Sequence, residues 1–213
     1  LRNKPYIVVE GPIGAGKTTL ARLLADEKQA RLVLEKVEEN PFLGRFYEEP
    51  DKYRLQAQLY FLLTRYRQQQ ELAQADLFRQ NLVSDYLFAK DQLFAQVNLD
   101  ADELALYRQL FGLLDARLAK PDLVVYLEAR LDVLMARVRK RSKDYERNLT
   151  PEYVRRIAEA YRDFFFHYDE TPLLVVNCSE IDFVEHAEET DDLIREIDEM
   201  GQGIQHYIPL GSR

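Results

Sequence analysis

The segment Gly11-Pro12-Ile13-Gly14-Ala15-Gly16-Lys17-Thr18-Thr19 constrains this chain more than any other, because it fits GxxxxGK[ST] in full. The apolar run Tyr6–Val9 stands directly before it, and Leu20, Ala21, Leu23 and Leu24 follow at helical spacing. A strand must end where the glycines begin, and a helix must start at the Lys-Thr, for backbone N–H groups to converge on phosphate oxygens. Gly11, Gly14 and Gly16 supply the close approach and positive φ angles that side chains would block, with Ala15 and Thr19 completing the cradle. In such a loop Lys17 reaches the β- and γ-phosphates and the Thr18 hydroxyl sits on Mg²⁺. A Gly-rich turn without function fits the same letters, but not the strand and helix on either side. The expectation is a nucleoside triphosphate site.

Four more short apolar runs read as strands, Leu32–Leu34, Asn81–Asp85, Leu123–Leu127 and Leu173–Val176, with helical patterns between them. Leu55, Leu59, Leu62, Leu63 and Tyr66 make one such pattern, and Leu104, Tyr107, Leu110, Phe111 and Leu114 another. Alternation of this kind predicts an α/β P-loop NTPase fold, a doubly wound five-stranded parallel sheet with helices on both faces. The 213 residues fit a single domain over residues 1–213, without repeats or a linker. Ligands in such folds bind outside the carboxyl ends of the strands, so chemistry is sought just past each run.

Three strand ends carry candidates. Asp85 closes the third run and suits a Mg²⁺ ligand beside Thr18, a role compatible with capping the following helix. Glu35 closes the second and is placed to accept a proton from an attacking hydroxyl, although it is one of three acidic residues in its stretch. Beyond the fourth run, Arg137, Arg139, Lys140, Arg141 and Lys143 crowd together in a chain of formal net charge −8. A solvated basic face is the ordinary reading of a charge run. Here a triphosphate needs cations that close over it and exclude water, so a helical Arg/Lys lid over about residues 137–150 is expected.

With these pieces in place the chain resembles the deoxynucleoside kinase family from the P-loop to about Asp182. The most specific segment runs Leu55-Gln56-Ala57-Gln58-Leu59-Tyr60-Phe61-Leu62-Leu63-Thr64-Arg65-Tyr66-Arg67, which looks like the family's base-recognition helix. The resemblance implies that Gln58 pairs with the nucleobase, that Asp91 works with it, and that Arg65 faces the site. It makes Glu35 the general base for the 5′-hydroxyl, and places Tyr47 and Glu146 at the 3′-hydroxyl. Arg137, Arg141 and Lys143 match catalytic lid cations, and Asp182-Phe183 matches the loop packing on the donor's adenine. It also implies ATP and Mg²⁺, a small deoxynucleoside as acceptor with a purine or deoxycytidine favoured, and a homodimer built on Leu59–Leu63 and Leu104–Leu114.

The match has departures. Lys36 stands where the family has proline, Lys143 where it usually has arginine, and Tyr86 where it has an arginine that orients the general base. Two other readings follow: a nucleoside monophosphate kinase of the thymidylate kinase type, and a non-catalytic nucleotide-binding regulatory subunit. Glu35 on the acceptor side disfavours an acceptor that carries a phosphate. The net charge argues against binding nucleic acid polymers, which demand a basic stripe. No apolar stretch reaches the ~20 residues that span a bilayer, so no membrane is expected. The single cysteine, Cys178, fits a reducing cytoplasm and gives no metal-ligand spacing. The chain opens at Leu1 without methionine and ends Gly-Ser-Arg, as a trimmed chain or a piece of a longer one would.

Overall fold

A computed structural model of the chain describes residues 5–75, 81–115, 118–181, 183 and 187–208. Six strands form one sheet: β1 (Tyr6–Glu10), β2 (Arg31–Val33), β3 (Leu82–Ser84), β4 (Leu123–Glu128), β5 (Leu173–Asn177) and β6 (Ile204–Tyr207). Their order is β2-β3-β1-β4-β5-β6, and every pairing is parallel. Five of these are the expected strands. The sixth corrects the expected count, because Ile204-Gln205-His206-Tyr207 is a mostly exposed edge strand with polar residues in its middle. An edge strand with one neighbour lacks the apolar run that betrays a central parallel strand.

Among the described residues eight α-helices connect the strands: α1 (Lys17–Glu27), α2 (Leu43–Glu48), α3 (Pro50–Ala75), α4 (Lys90–Asn98), α5 (Ala101–Asp115), α6 (Leu131–Arg141), α7 (Pro151–Phe166) and α8 (Ala187–Glu199). Because strand side chains alternate, the central strands divide between two cores. Ile7, Val9, Leu123, Val125 and Leu127 pack with Leu20 and Leu24 of α1, Leu134 of α6 and Leu193 of α8. Val8, Val124, Tyr126 and Val175 face the other way, onto Leu93 of α4 and Ile157, Tyr161 and Phe165 of α7. Helices cover both faces, as a parallel sheet requires.

A third core joins α3, α4 and α5 through Leu62, Ala95, Tyr107 and Phe111. The apolar stripes of α3 and α5 are therefore divided. Leu62, Tyr107 and Phe111 are buried, while Leu63, Leu106, Leu110 and Leu113 face solvent. No helix among the described residues is long and apolar enough to cross a membrane.

The sheet order places the ends of β2, β3 and β1 side by side, which brings Glu35, Asp85 and the loop 11–16 to one edge of the molecule. Backbone and side chains then lock them together: the Glu35 N–H donates to Asp85 Oδ1 at 2.6 Å, and the Asp85 N–H donates to the Val33 carbonyl.

Candidate active site

The loop after β1 folds as its glycines dictate. Gly14 has φ +86°, and a Cβ there would meet the Leu134 carbonyl oxygen at 2.6 Å, so both conformation and space exclude a side chain. Gly16, at φ +100°, lies under the ring of Phe183. Helix α1 begins at Lys17, with its first backbone N–H groups pointing into the loop. Lys17 Nζ donates to the carbonyls of Gly11 at 2.7 Å and Pro12 at 3.2 Å. Burial pulls the Lys17 pKa down to about 8, the nearby Lys90 ammonium adds to the fall, and Glu10, Glu35 and Asp85 oppose it.

The Thr18 hydroxyl donates to Asp85 Oδ2 at 2.6 Å. A hydroxyl and a carboxylate thus meet beside the phosphate loop, a hard-oxygen pair that fits a Mg²⁺ ion completed by phosphates and water. Burial raises the Asp85 pKa above its ordinary value, with the Thr18 hydrogen bond opposing and the Glu35 charge adding to the rise.

Loop and strand ends open onto a cleft of about 620 Å³ lined by Lys17, Thr18, Glu35, Gln58, Arg65 and Lys90 among others. That size suits a small organic ligand. Glu35 is its electrostatic centre. Arg65 Nε donates to Glu35 Oε1 at 2.8 Å and Nη2 reaches the same oxygen. Lys90 Nζ donates to Glu35 Oε2 at 3.0 Å. Burial alone would push the Glu35 pKa up, yet Arg65 and then Lys90 hold it well below the usual carboxylate range. Arg65 Nη1 continues to Asp91 Oδ2 at 2.7 Å, and its guanidinium lies over the Phe61 ring. Gln58 Nε2 donates to Asp91 Oδ1 at 2.5 Å and to the Asp91 carbonyl at 3.1 Å. A carboxylate only accepts, so the amide orientation is fixed and Oε1 is left as its acceptor.

At the far wall Tyr47 stands edge-on to Tyr153, with ring centroids 5.9 Å apart, and also lines the cleft. Burial, then the neighbouring Tyr153, Glu146 and Tyr145, raise its pKa well above the ordinary phenol value, so its hydroxyl stays protonated. Glu146 is buried and accepts from both Arg141 Nε, at 2.9 Å, and Arg141 Nη2. Lys143 reaches across the cleft mouth to Glu38.

The structure therefore gathers Lys17, Thr18, Thr19, Glu35, Tyr47, Gln58, Arg65, Asp85, Arg141, Lys143 and Glu146 around one cleft, with Gly14 and Gly16 in its wall. Asp91 lies one hydrogen bond behind Gln58. Arg137 is arranged differently. Its guanidinium donates to the carbonyls of Cys178 at 2.9 Å, Ile181 at 2.5 Å and Ala15 at 3.4 Å, bracing the phosphate loop against the chain after β5. Phe183 is buried in the core below Gly16. Asp182 lies outside the described residues.

A family model, deoxynucleoside kinase, matches residues 7–201. The chain belongs to the deoxynucleoside kinase family. It is 33% identical over 162 residues to a deoxyguanosine kinase of Bacillus subtilis, covering 76% of this chain and 78% of the relative. It is 30% identical over 209 residues to a deoxyadenosine kinase of Lactobacillus acidophilus, covering 91% and 94%. The fold matches a structure of deoxyadenosine kinase from M. mycoides with bound dATP, with TM-score 0.78, 23% identity and coverage of 90% and 98%. The sheet has six strands among the described residues in place of the five expected, and the α/β class stands.

Two site residues were missed in the sequence, Lys90 and Glu10. Glu10 is fully buried at the end of β1, where Oε1 accepts from the Gly11 N–H and the Tyr161 hydroxyl, both at 2.9 Å, and Oε2 from the Leu87 N–H at 2.7 Å. Its signal was a lone charge closing an apolar strand. Tyr86, expected from the resemblance to stand in place of an arginine, is fully buried beside Val33.

The depressed Lys17 pKa has a consequence for nucleotide binding. The free amine dominates above about 8, and phosphates at Lys17 would favour the ammonium. A nucleotide whose phosphates reach Lys17 would therefore take up a proton at about one pH unit above that value, and its affinity would fall as pH rises through it. Calorimetry in buffers of differing ionisation enthalpy reads this uptake, which Lys17→Met abolishes; no uptake in the unsubstituted protein would contradict the assignment.

Proposed function

We propose that this enzyme transfers the γ-phosphoryl group of ATP to the 5′-hydroxyl of a deoxynucleoside, in nucleotide salvage. The carrying observation is the ionised Glu35, standing between the phosphate loop and the Gln58 end of one cleft with both oxygens held by cations. Glu35 would accept the hydroxyl proton as the oxygen attacks phosphorus, and a late proton transfer to an ionised carboxylate suits the loose transition state of phosphoryl transfer. Arg65 and Lys90 are already committed to Glu35, Asp91 and Glu10. An acceptor phosphate would have to compete with these carboxylates for the two cations nearest Glu35, which speaks against a monophosphate substrate. The two cations on Glu35 also answer the absence of arginine at Tyr86, the feature that favoured a non-catalytic subunit.

Lys17 would hold the β- and γ-phosphates, and the loop from Ile13 to Thr19, which Gly11 leads into, would supply backbone donors. Thr18 and Asp85 would hold Mg²⁺, which draws charge from the phosphate oxygens. Arg141 and Lys143 would close as a lid over residues 137–150, trading Glu146 and Glu38 for phosphate oxygens, while Arg137 would hold the loop against Cys178 and Ile181. Tyr47 and the released Glu146 would bind the sugar 3′-hydroxyl. Gln58 Oε1 would accept from the base, which suits the amino or imino donors of adenine, guanine or cytosine. The names of the relatives favour a purine. Phe183, with Asp182, would support the loop around the donor's adenine. A reducing cytoplasm suits the free, buried Cys178. The whole of residues 1–213 would act as one catalytic unit.

Incubation with Mg-ATP and a panel of deoxynucleosides should yield a 5′-monophosphate from at least one purine deoxynucleoside. Glu35→Gln should lose roughly 10²–10⁴-fold in turnover while retaining nucleoside binding; unchanged turnover would remove Glu35 from the reaction.

We also propose that two copies pair through α3 and α5. Leu106, Leu110 and Leu113 recur at i, i+4 and i+7 on α5, and with Leu63 they expose an apolar face that Leu113, 69% accessible, dominates. Light scattering should give twice the chain's mass, and Leu106→Glu with Leu113→Glu should halve it. A monomer before substitution would sink the pairing.

A further inference from the structure

Lys90 violates two local rules. It is 2% exposed, although burying an ammonium is costly, and it is the first residue of α4, where the helix dipole disfavours a cation. Residues that break local rules in a well-packed fold mark places where function outweighs local stability. Two carboxylates offset the cost: Glu35 Oε2 at 3.0 Å and Glu10 Oε2 at 3.5 Å.

These contacts are not equivalent. Glu10 already accepts from Gly11, Leu87 and Tyr161, so its charge is satisfied without Lys90. Glu35 Oε1 is saturated by two nitrogens of Arg65, whereas Oε2 has Lys90 as its hydrogen-bond donor. Arg65 thus fixes one oxygen and Lys90 fixes the rotation of the carboxylate about it. With one donor, Oε2 keeps lone-pair capacity to receive a proton, and Lys90 is the group that presents it to the cleft. Tyr86, four residues earlier, is buried beside Val33 and makes no contact of this kind.

We infer that Lys90 is the positioning residue that aims Glu35 Oε2 at the acceptor hydroxyl and, through Glu10, ties that carboxylate to the first residue of the phosphate loop. The inference rests on Glu35 being the general base. It explains how the chain dispenses with an arginine at position 86: a cation from the start of α4 reaches the same carboxylate.

The experiment is a double-mutant cycle with E35Q, read by kinetics and by urea unfolding. K90M should lose roughly 10²-fold in kcat with the KM for the deoxynucleoside within about threefold, and K90R should regain at least about tenfold. Added to E35Q, K90M should change kcat by less than about threefold, because both substitutions remove one function. Should K90M fail to fold, K90Q keeps a polar, neutral side chain and is read the same way. A full independent loss in the E35Q background, or a rise in KM alone, overturns the inference. The urea midpoints need no turnover: non-additive midpoints for K90M and E35Q support the coupling, and additive ones overturn it. If the unsubstituted chain phosphorylates no deoxynucleoside, the functional reading falls, and the urea cycle still decides for or against Lys90.

Discussion

The site depends on a buried chain of alternating charges, Glu10, Lys90, Glu35, Arg65 and Asp91, each within ion-pair distance of the next. An unpaired charge in such surroundings would neutralise itself or cost several kcal/mol. Alternation sets each charge beside one of opposite sign, and Glu35 has a cation on each oxygen. The arrangement adds little to stability compared with well-packed apolar residues of the same volume. What it does fix is the position of Glu35, pinned from both sides.

That chain crosses the fold where the sheet order makes crossing possible. Glu10 comes from β1, Glu35 follows β2, Lys90 and Asp91 open α4 after β3, and Arg65 projects from α3. Because β3 lies between β1 and β2, the three carboxyl ends are adjacent, and Asp85 bridges them by accepting from the Thr18 hydroxyl and the Glu35 N–H. A triphosphate held at Lys17 and an acceptor held near Gln58 would meet at Glu35 without any element having to move far. At the end of α6 and just past it, Arg141 and Lys143 rest on Glu146 and Glu38, carboxylates whose place phosphate oxygens could take.

Much of this was legible in the sequence. The glycine spacing fixed the first strand, loop and helix together, since only one backbone path satisfies it. Central strands were visible because burial on both faces demands unbroken apolar runs. β6 was not, since an exposed edge strand carries no such run. Arg137 illustrates a different limit: spacing shows which cations share a helix face, but not whether they meet carbonyl oxygens or phosphates, and here carbonyls of Cys178 and Ile181 hold it. Glu10 escaped as a lone charge closing an apolar run, and Lys90 as a cation directly beside Asp91; their pairing joins β1 to α4. Only three-dimensional contact shows that their charges are matched.

The central claim is that the charge chain holds Glu35 at the point where donor and acceptor meet. A crystal structure with a deoxynucleoside and a non-hydrolysable ATP analogue tests this most directly. The account requires the 5′-oxygen within about 2.6–3.2 Å of Glu35 Oε2, with Lys90 and Arg65 still on the carboxylate. A 5′-oxygen lying out of hydrogen-bond reach of Glu35, or a carboxylate turned away from Lys90, would contradict it.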